Sequence, residues 1–192
     1  MLRRAALLLI AGLLIAGLLL AGCGKERQPA PDLLVVSAPS GESQRVLRDA
    51  GMRFKTPLNW EFKEAKLPRA FTLASGRAAI TGWAYERDEP LPKTGPALDD
   101  ARARLLERVA YRNKTYKPTG SRVTRIDGNP AIVVEGEQTL FGQLLKTRSA
   151  HIYAGNTEYA IDALGPPDSF ATVQDGVLEP LLRSLRVTGV KG

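Results

Sequence analysis

The chain holds one cysteine, Cys23, and one histidine, His151, so the two side chains most used for nucleophilic and metal chemistry occur once each. A zinc site collects several such ligands, and no histidine cluster can form here. Hydrolysis by a nucleophile and base would need His151 beside a serine such as Ser149 or Ser121, yet no GxSxG turn is present. Paired carboxylates can do acid–base work without histidine. However, Asp99-Asp100 reads as the acidic start of a helix, and Glu135 and Glu137 as one face of an alternating strand. Neither a GxGxxG turn nor a P-loop occurs. Asn113-Lys114-Thr115 matches a glycosylation sequon, a three-residue pattern too short to carry a functional reading alone. The expectation is a non-enzyme without metal or cofactor, which leaves Cys23 as the residue with chemistry to perform.

Cys23 closes an ordered export pattern: Arg3 and Arg4, an uncharged apolar run over residues 5–21, and small residues just before the thiol. The run is nearly long enough to span a bilayer, which takes about 20 apolar residues. Leu20-Ala21-Gly22-Cys23 decides between the two readings, because it resembles the lipobox of bacterial lipoproteins. The resemblance implies thioether attachment of a diacylglyceryl group to Cys23, cleavage after Gly22, and a further amide-linked acyl chain. Leu20, Ala21 and Gly22 would be the residues read by the signal peptidase, which needs small side chains to approach the backbone. One acyl chain binds a membrane marginally, whereas several hold a protein there durably. The expected location is thus the extracytoplasmic face of a cell membrane, periplasmic or cell-surface, with the membrane itself as first partner. A lipidated thiol also fits a chain that cannot form an internal disulfide.

Losing residues 1–22 removes two of 27 basic residues and none of 20 acidic ones, so the mature chain carries a formal +5. Basic residues are interspersed with acids and not clustered with aromatics, which argues against nucleic acid. Near an anionic bilayer each exposed Lys or Arg would add about 1 kcal/mol within a Debye length, but the preferred expectation for this mixed charge pattern is an ordinary soluble surface.

The remaining 170 of 192 residues suffice for one domain with a core. The expected divisions are a signal peptide over 1–22, lipidated Cys23 with a flexible tether to residue 43, a domain over 44–188, and a tail over 189–192. The tether is polar and proline-containing, except for Leu33-Leu34-Val35-Val36, a short strand or a docking contact. From Arg45 the pattern is mostly period two. Strands are expected over 52–55 and 60–62 around Thr56-Pro57-Leu58-Asn59, then over 70–74 and 78–85 joined at Ser75-Gly76. Thr94-Gly95-Pro96 opens a helix carrying Leu98, Ala101, Leu105, Leu106 and Val109, with Asp99 and Asp100 in its first turn and Arg108 and Arg112 in its last. Strands over 122–126 and 131–135 flank Asp127-Gly128-Asn129, and strands over 143–154 and 158–163 pivot on Gly155-Asn156. Asp168 or Ser169 can cap a final helix, which Pro180 interrupts or restarts. This order predicts an α+β fold, an antiparallel β-sheet with helices packed on it.

Phe54-Lys55-Thr56-Pro57-Leu58-Asn59-Trp60, the Asp127-Gly128-Asn129-Pro130-Ala131 turn with its following strands, and Leu181-Leu182-Arg183-Ser184-Leu185 are similar to the Mog1/PsbP-like superfamily over about residues 45–188. The resemblance implies an α/β/α sandwich and a non-catalytic role, either binding a protein partner or serving a membrane complex as an extrinsic accessory subunit. It carries over no catalytic residue. Two functions follow as expectations: an accessory module for an envelope protein, or a carrier of a lipid or other hydrophobic ligand in a cavity between sheet and helix. Trp60, Trp83 and Phe141 are the candidate contact residues. Core and edge packing on neighbouring strands is the preferred reading for the two tryptophans, and burial for Phe141 at its strand junction.

Overall fold

The computed structural model describes residues 34–190. Leu20, Ala21, Gly22 and Cys23, with residues 24–33 of the expected tether and the last two residues, lie outside them. Ten strands and three α-helical pieces follow in the order β1 (Ser43–Leu47), β2 (Met52–Thr56), β3 (Glu61–Glu64), β4 (Arg69–Ser75), β5 (Ala78–Glu86), α1 (Gly95–Arg112), β6 (Lys117–Ile126), β7 (Asn129–Leu140), β8 (Gln143–Ala154), β9 (Thr157–Gly165), α2 (Phe170–Val173), a π-turn (Gln174–Leu178), α3 (Glu179–Ser184) and β10 (Arg186–Val187). Seven strands form one antiparallel sheet ordered β3-β4-β5-β9-β8-β7-β6, and β1-β2-β10 form a second. The α+β architecture read from the sequence is the one observed.

Alternation gives the large sheet two different faces. On one, Ile80, Ile152, Tyr159 and Ile161 pack against Met52 and Phe54 of the small sheet and against Val173, Val177, Leu181 and Leu185 of the closing helical segment. Trp60 belongs to this core: it is 2% exposed, and its Nε1 donates to the Ser37 carbonyl at 3.1 Å. Phe54, Phe62 and Phe71 join it as an aromatic group with Phe54–Phe71 centroids 4.6 Å apart. Burying side chains of this size is the main favourable term in folding. On the other face a smaller cluster joins Ile132, Val134 and Tyr153 to Leu98 of α1.

Several details differ from the sequence expectation for local reasons. Helix α1 begins at Gly95 with Pro96 in its first turn, so Asp99 and Asp100 fall in the second turn, where Asp99 pairs with Arg102 at 3.3 Å. Strands β2 and β3 flank the expected turn but enter different sheets. Ser169 occupies the N-cap of α2 without capping it, its hydroxyl donating instead to Asp168 at 3.2 Å. Pro180 sits in the first turn of α3, and the preceding π-turn, in which the Glu179 N–H bonds the Gln174 carbonyl, carries the helix past it. From Ser37 the expected tether is fastened to the domain: Ser37 N donates to Ser75 Oγ, Ser40 N to Asn59 Oδ1, and Asn59 Nδ2 to the Ala38 carbonyl. Val36 packs on the core in a non-strand conformation, which favours docking over pairing.

Candidate functional site

Helix α1 packs against β6 and β7 at one edge of the large sheet. The outward face of β5, β9 and β8 is therefore left beneath an open cleft of about 990 Å³. Period-two alternation decides what its floor presents: Thr81, Trp83 and Tyr85 from β5, Glu158, Ala160 and Asp162 from β9, and Ser149, His151 and Tyr153 from β8. The helix supplies the roof edge, with Leu105 and Val109 alongside Arg104, Arg108 and Arg112. These arginines recur at four-residue spacing and so form a row on one helix face. None of the three forms an ion pair among the described residues.

The floor's charged groups are arranged differently. Glu158 accepts from Arg87 Nε at 3.0 Å, and Arg87 Nη2 is also bonded to it; its other oxygen lies 2.9 Å from His151 Nδ1. Burial by itself would raise the Glu158 carboxyl, but His151 and Arg87 outweigh it and hold that carboxyl below its ordinary value. Burial, reinforced by the nearby Glu158 charge, pushes the Tyr153 phenol up to about 12. Burial and the charges of Asp162 and Glu158 likewise raise Tyr85. These phenols stay protonated at neutral pH and present apolar rings. Trp83 and Tyr85 stack with centroids 6.1 Å apart and planes 8° from parallel, and Arg87 lies over the Tyr85 ring.

His151 and Ser149 share the cleft face, as the serine–histidine reading required. They stand two residues apart on one strand, about 7 Å along the chain, and no hydrogen bond joins them among the described residues. Glu158 orients the imidazole, and no hydroxyl is hydrogen-bonded to the His151 ring among the described residues. No group of three or more His, Cys, Asp or Glu residues is disposed to hold a metal among the described residues. Nor is any described helix long and apolar enough to cross a membrane.

The three candidate contact residues are dispersed. Trp60 is core, Trp83 lines the cleft, and Phe141 is fully exposed at the β7–β8 turn, contrary to the burial expected for it and outside the cleft. The reason is backbone geometry: Phe141 and Gly142 have φ of 50° and 78°, a two-residue turn that points its first side chain outward. The arginine row and Tyr153, which do face the cleft, were not singled out from sequence. Four-residue arginine spacing was the available signal for the row.

No protein-family model and no curated protein matches the sequence. Solved structures do match by shape. Cyanobacterial PsbP (CyanoP) from Synechocystis sp. PCC 6803 aligns over 88% of this chain and 99% of its own, with a TM-score of 0.60 and 15% identity. LpqN, described as involved in cell envelope biogenesis of Mycobacterium tuberculosis, aligns over 77% of this chain and 91% of its own, with a TM-score of 0.58 and 12% identity. The likeness establishes the fold, a PsbP-like antiparallel α+β sandwich.

Proposed function

We propose that the chain is a lipid-anchored extracytoplasmic lipoprotein whose domain is a non-catalytic binding module, receiving an acidic, partly apolar segment of an envelope protein in the cleft beneath α1. The observation that carries this reading is the arginine row. Three like charges at i, i+4 and i+8 disfavour the helix that bears them, and none of them is held in an ion pair among the described residues above a floor where Trp83 stacks on Tyr85. An acidic partner segment would neutralise the row while its apolar side chains cover Trp83 and Tyr85. Glu158, Arg87 and His151 are already committed to one another, which supports recognition over chemistry.

A hydrophobic ligand is the second reading, favoured by the cleft's volume and its aromatic rings. It is disfavoured by the ionic floor, since acyl chains laid over Glu158, Asp162 and Arg87 would strip charges of water without replacing it.

Two experiments test the proposal. Mass spectrometry of the protein from its native envelope should find residues 1–22 removed and Cys23 acylated; an unmodified Cys23 would contradict the anchor. Affinity capture from solubilised envelope should yield a partner with the native chain that is lost in the Arg104→Glu, Arg108→Glu double variant. Equal capture by both would contradict the cleft.

A further inference from the structure

The β7–β8 hairpin tip and the point where the chain enters the domain lie at the same end of the large sheet. Antiparallel register places Ala78, Gly165 and Lys146 at about one level, through the pairs Ala79↔Leu164 and Lys146↔Gly165. The hairpin runs three residues further, to Leu140↔Gln143, before turning at Phe141 and Gly142. At about 3.3 Å per residue it projects roughly 10 Å beyond β9. Arg77 Nη1 reaches Gln143 Oε1 at 3.4 Å. The carbonyls of Leu34 and Val35 lie against Gly76 in the adjacent β4–β5 turn, where a Cβ would stand 2.3 Å from the Val35 oxygen. The end of α1 joins the same region, Asn113 Nδ2 donating to Gln138 Oε1 at 2.6 Å.

Apolar exposure is concentrated here. Of the nine large hydrophobic residues exposed among the described residues, five belong to this end: Leu34, Val35, Tyr111, Phe141 and Leu144. Phe141 holds φ 50°, a conformation that asparagine or glycine adopts more readily, so the turn accepts strain to display an aromatic ring. Cations lie at the same end of the sheet: Arg77, bonded to Gln143, Arg112 and Lys114 at the end of α1, and Lys117 and Lys146 in register beside Glu137, with Lys114 Nζ 4.9 Å from the centre of the Tyr111 ring. The acids at this end are Glu137, set between Lys117 and Lys146 in register, Asp168 just past β9, Glu107 one turn before Tyr111 on α1, and Glu61, paired with Ala74 beside the β4–β5 turn.

We propose that this end docks on an anionic membrane surface, Phe141 and Leu144 entering the boundary between headgroups and acyl chains while the lysines and arginines meet lipid phosphates. Aromatic and apolar side chains ringed by cations partition to that depth. The choice of a membrane as occupant rests on the anchoring proposed above: Cys23 precedes Leu34 by eleven residues, at most about 40 Å of extended chain. A lipid on Cys23 therefore keeps this end, with its aromatic tip, beside the bilayer. Docking fixes the orientation of the domain and leaves the cleft beneath α1 open at its flank.

The test uses residues 24–192, which contain both hydrophobic clusters, sedimented with phosphatidylglycerol-containing or pure phosphatidylcholine vesicles. The expected result is binding to the anionic vesicles that weakens as salt rises. Phe141→Asp should lower partitioning roughly tenfold or more, while Val46→Asp, at an exposed position on β1, leaves it unchanged. Circular dichroism confirms that both variants are folded. Absence of binding to either vesicle, or equal loss in the two variants, overturns the proposal and leaves the tip to a protein partner. Because this chain lacks the anchor, failure here is separable from failure of the Cys23 reading, which mass spectrometry decides alone.

Discussion

Glu158 Oε1 lies 2.9 Å from His151 Nδ1 across the β8–β9 pair, while Glu158 Oε2 takes a hydrogen bond from Arg87 at the end of β5. One carboxylate thus ties together three neighbouring strands of the cleft floor. The Arg87 backbone adds a bond to the Asn156 carbonyl at 2.8 Å. With the ring and the guanidinium both held, the floor under the arginine row is a preorganised surface.

Replacing Glu158 by Gln should lower stability by roughly 1–2 kcal/mol at pH 7, a figure moderated by water reaching Arg87. The native carboxyl lies below its ordinary 4.5, so as pH falls the unfolded chain takes up this proton first. The stabilisation is complete above about 4.5 and disappears as pH drops through the lowered native value. Denaturant unfolding of both proteins at pH 7 and pH 3 should show a smaller gap at the lower pH. A gap independent of pH would contradict this role.

Much of this layout was legible in the sequence. Gly155-Asn156 and Asp127-Gly128 marked their hairpins because left-handed turn residues leave a compositional trace, and α1 was visible through its apolar spacing. The three-stranded sheet was not, because β1 and β10 are short and pair only with β2, a partner far along the chain from β10. The cleft was equally hidden. Its floor is made of the polar alternates of strands read for their apolar face, and its openness comes from α1 packing on the β6–β7 edge. Exposure of Phe141 runs against the expectation of burial because a bulky residue in a left-handed turn is uncommon.

The two tryptophans should separate in their effects. Trp60→Ala removes a buried indole and its bond to Ser37, at a cost of about 3–5 kcal/mol. Trp83→Ala, on the cleft floor, should cost roughly 1 kcal/mol and abolish partner capture. Thermal melts read alongside the capture assay check both; equal destabilisation would contradict their placement.

Relieving the strained turn should stabilise the domain. Phe141→Asn is expected to add roughly 1 kcal/mol and to raise Tm by about 2–4 °C, as measured by calorimetry. The same change should weaken vesicle binding, so the two effects have opposite signs.

Gly82 marks a close approach within the core. A Cβ there would stand 2.1 Å from Phe71 Cε1, inside the Phe54–Phe62–Phe71 group. Gly82→Ala should cost at least about 1–3 kcal/mol, and a melt at the native Tm would contradict this packing.

The cleft as a protein-binding site is tested most directly by a photoreactive benzoylphenylalanine in place of Leu105, activated in the intact envelope. The account predicts one reproducible protein adduct, lost when Arg104 and Arg108 are replaced by glutamate. Adducts to lipid alone, or a protein adduct indifferent to those charges, would contradict it.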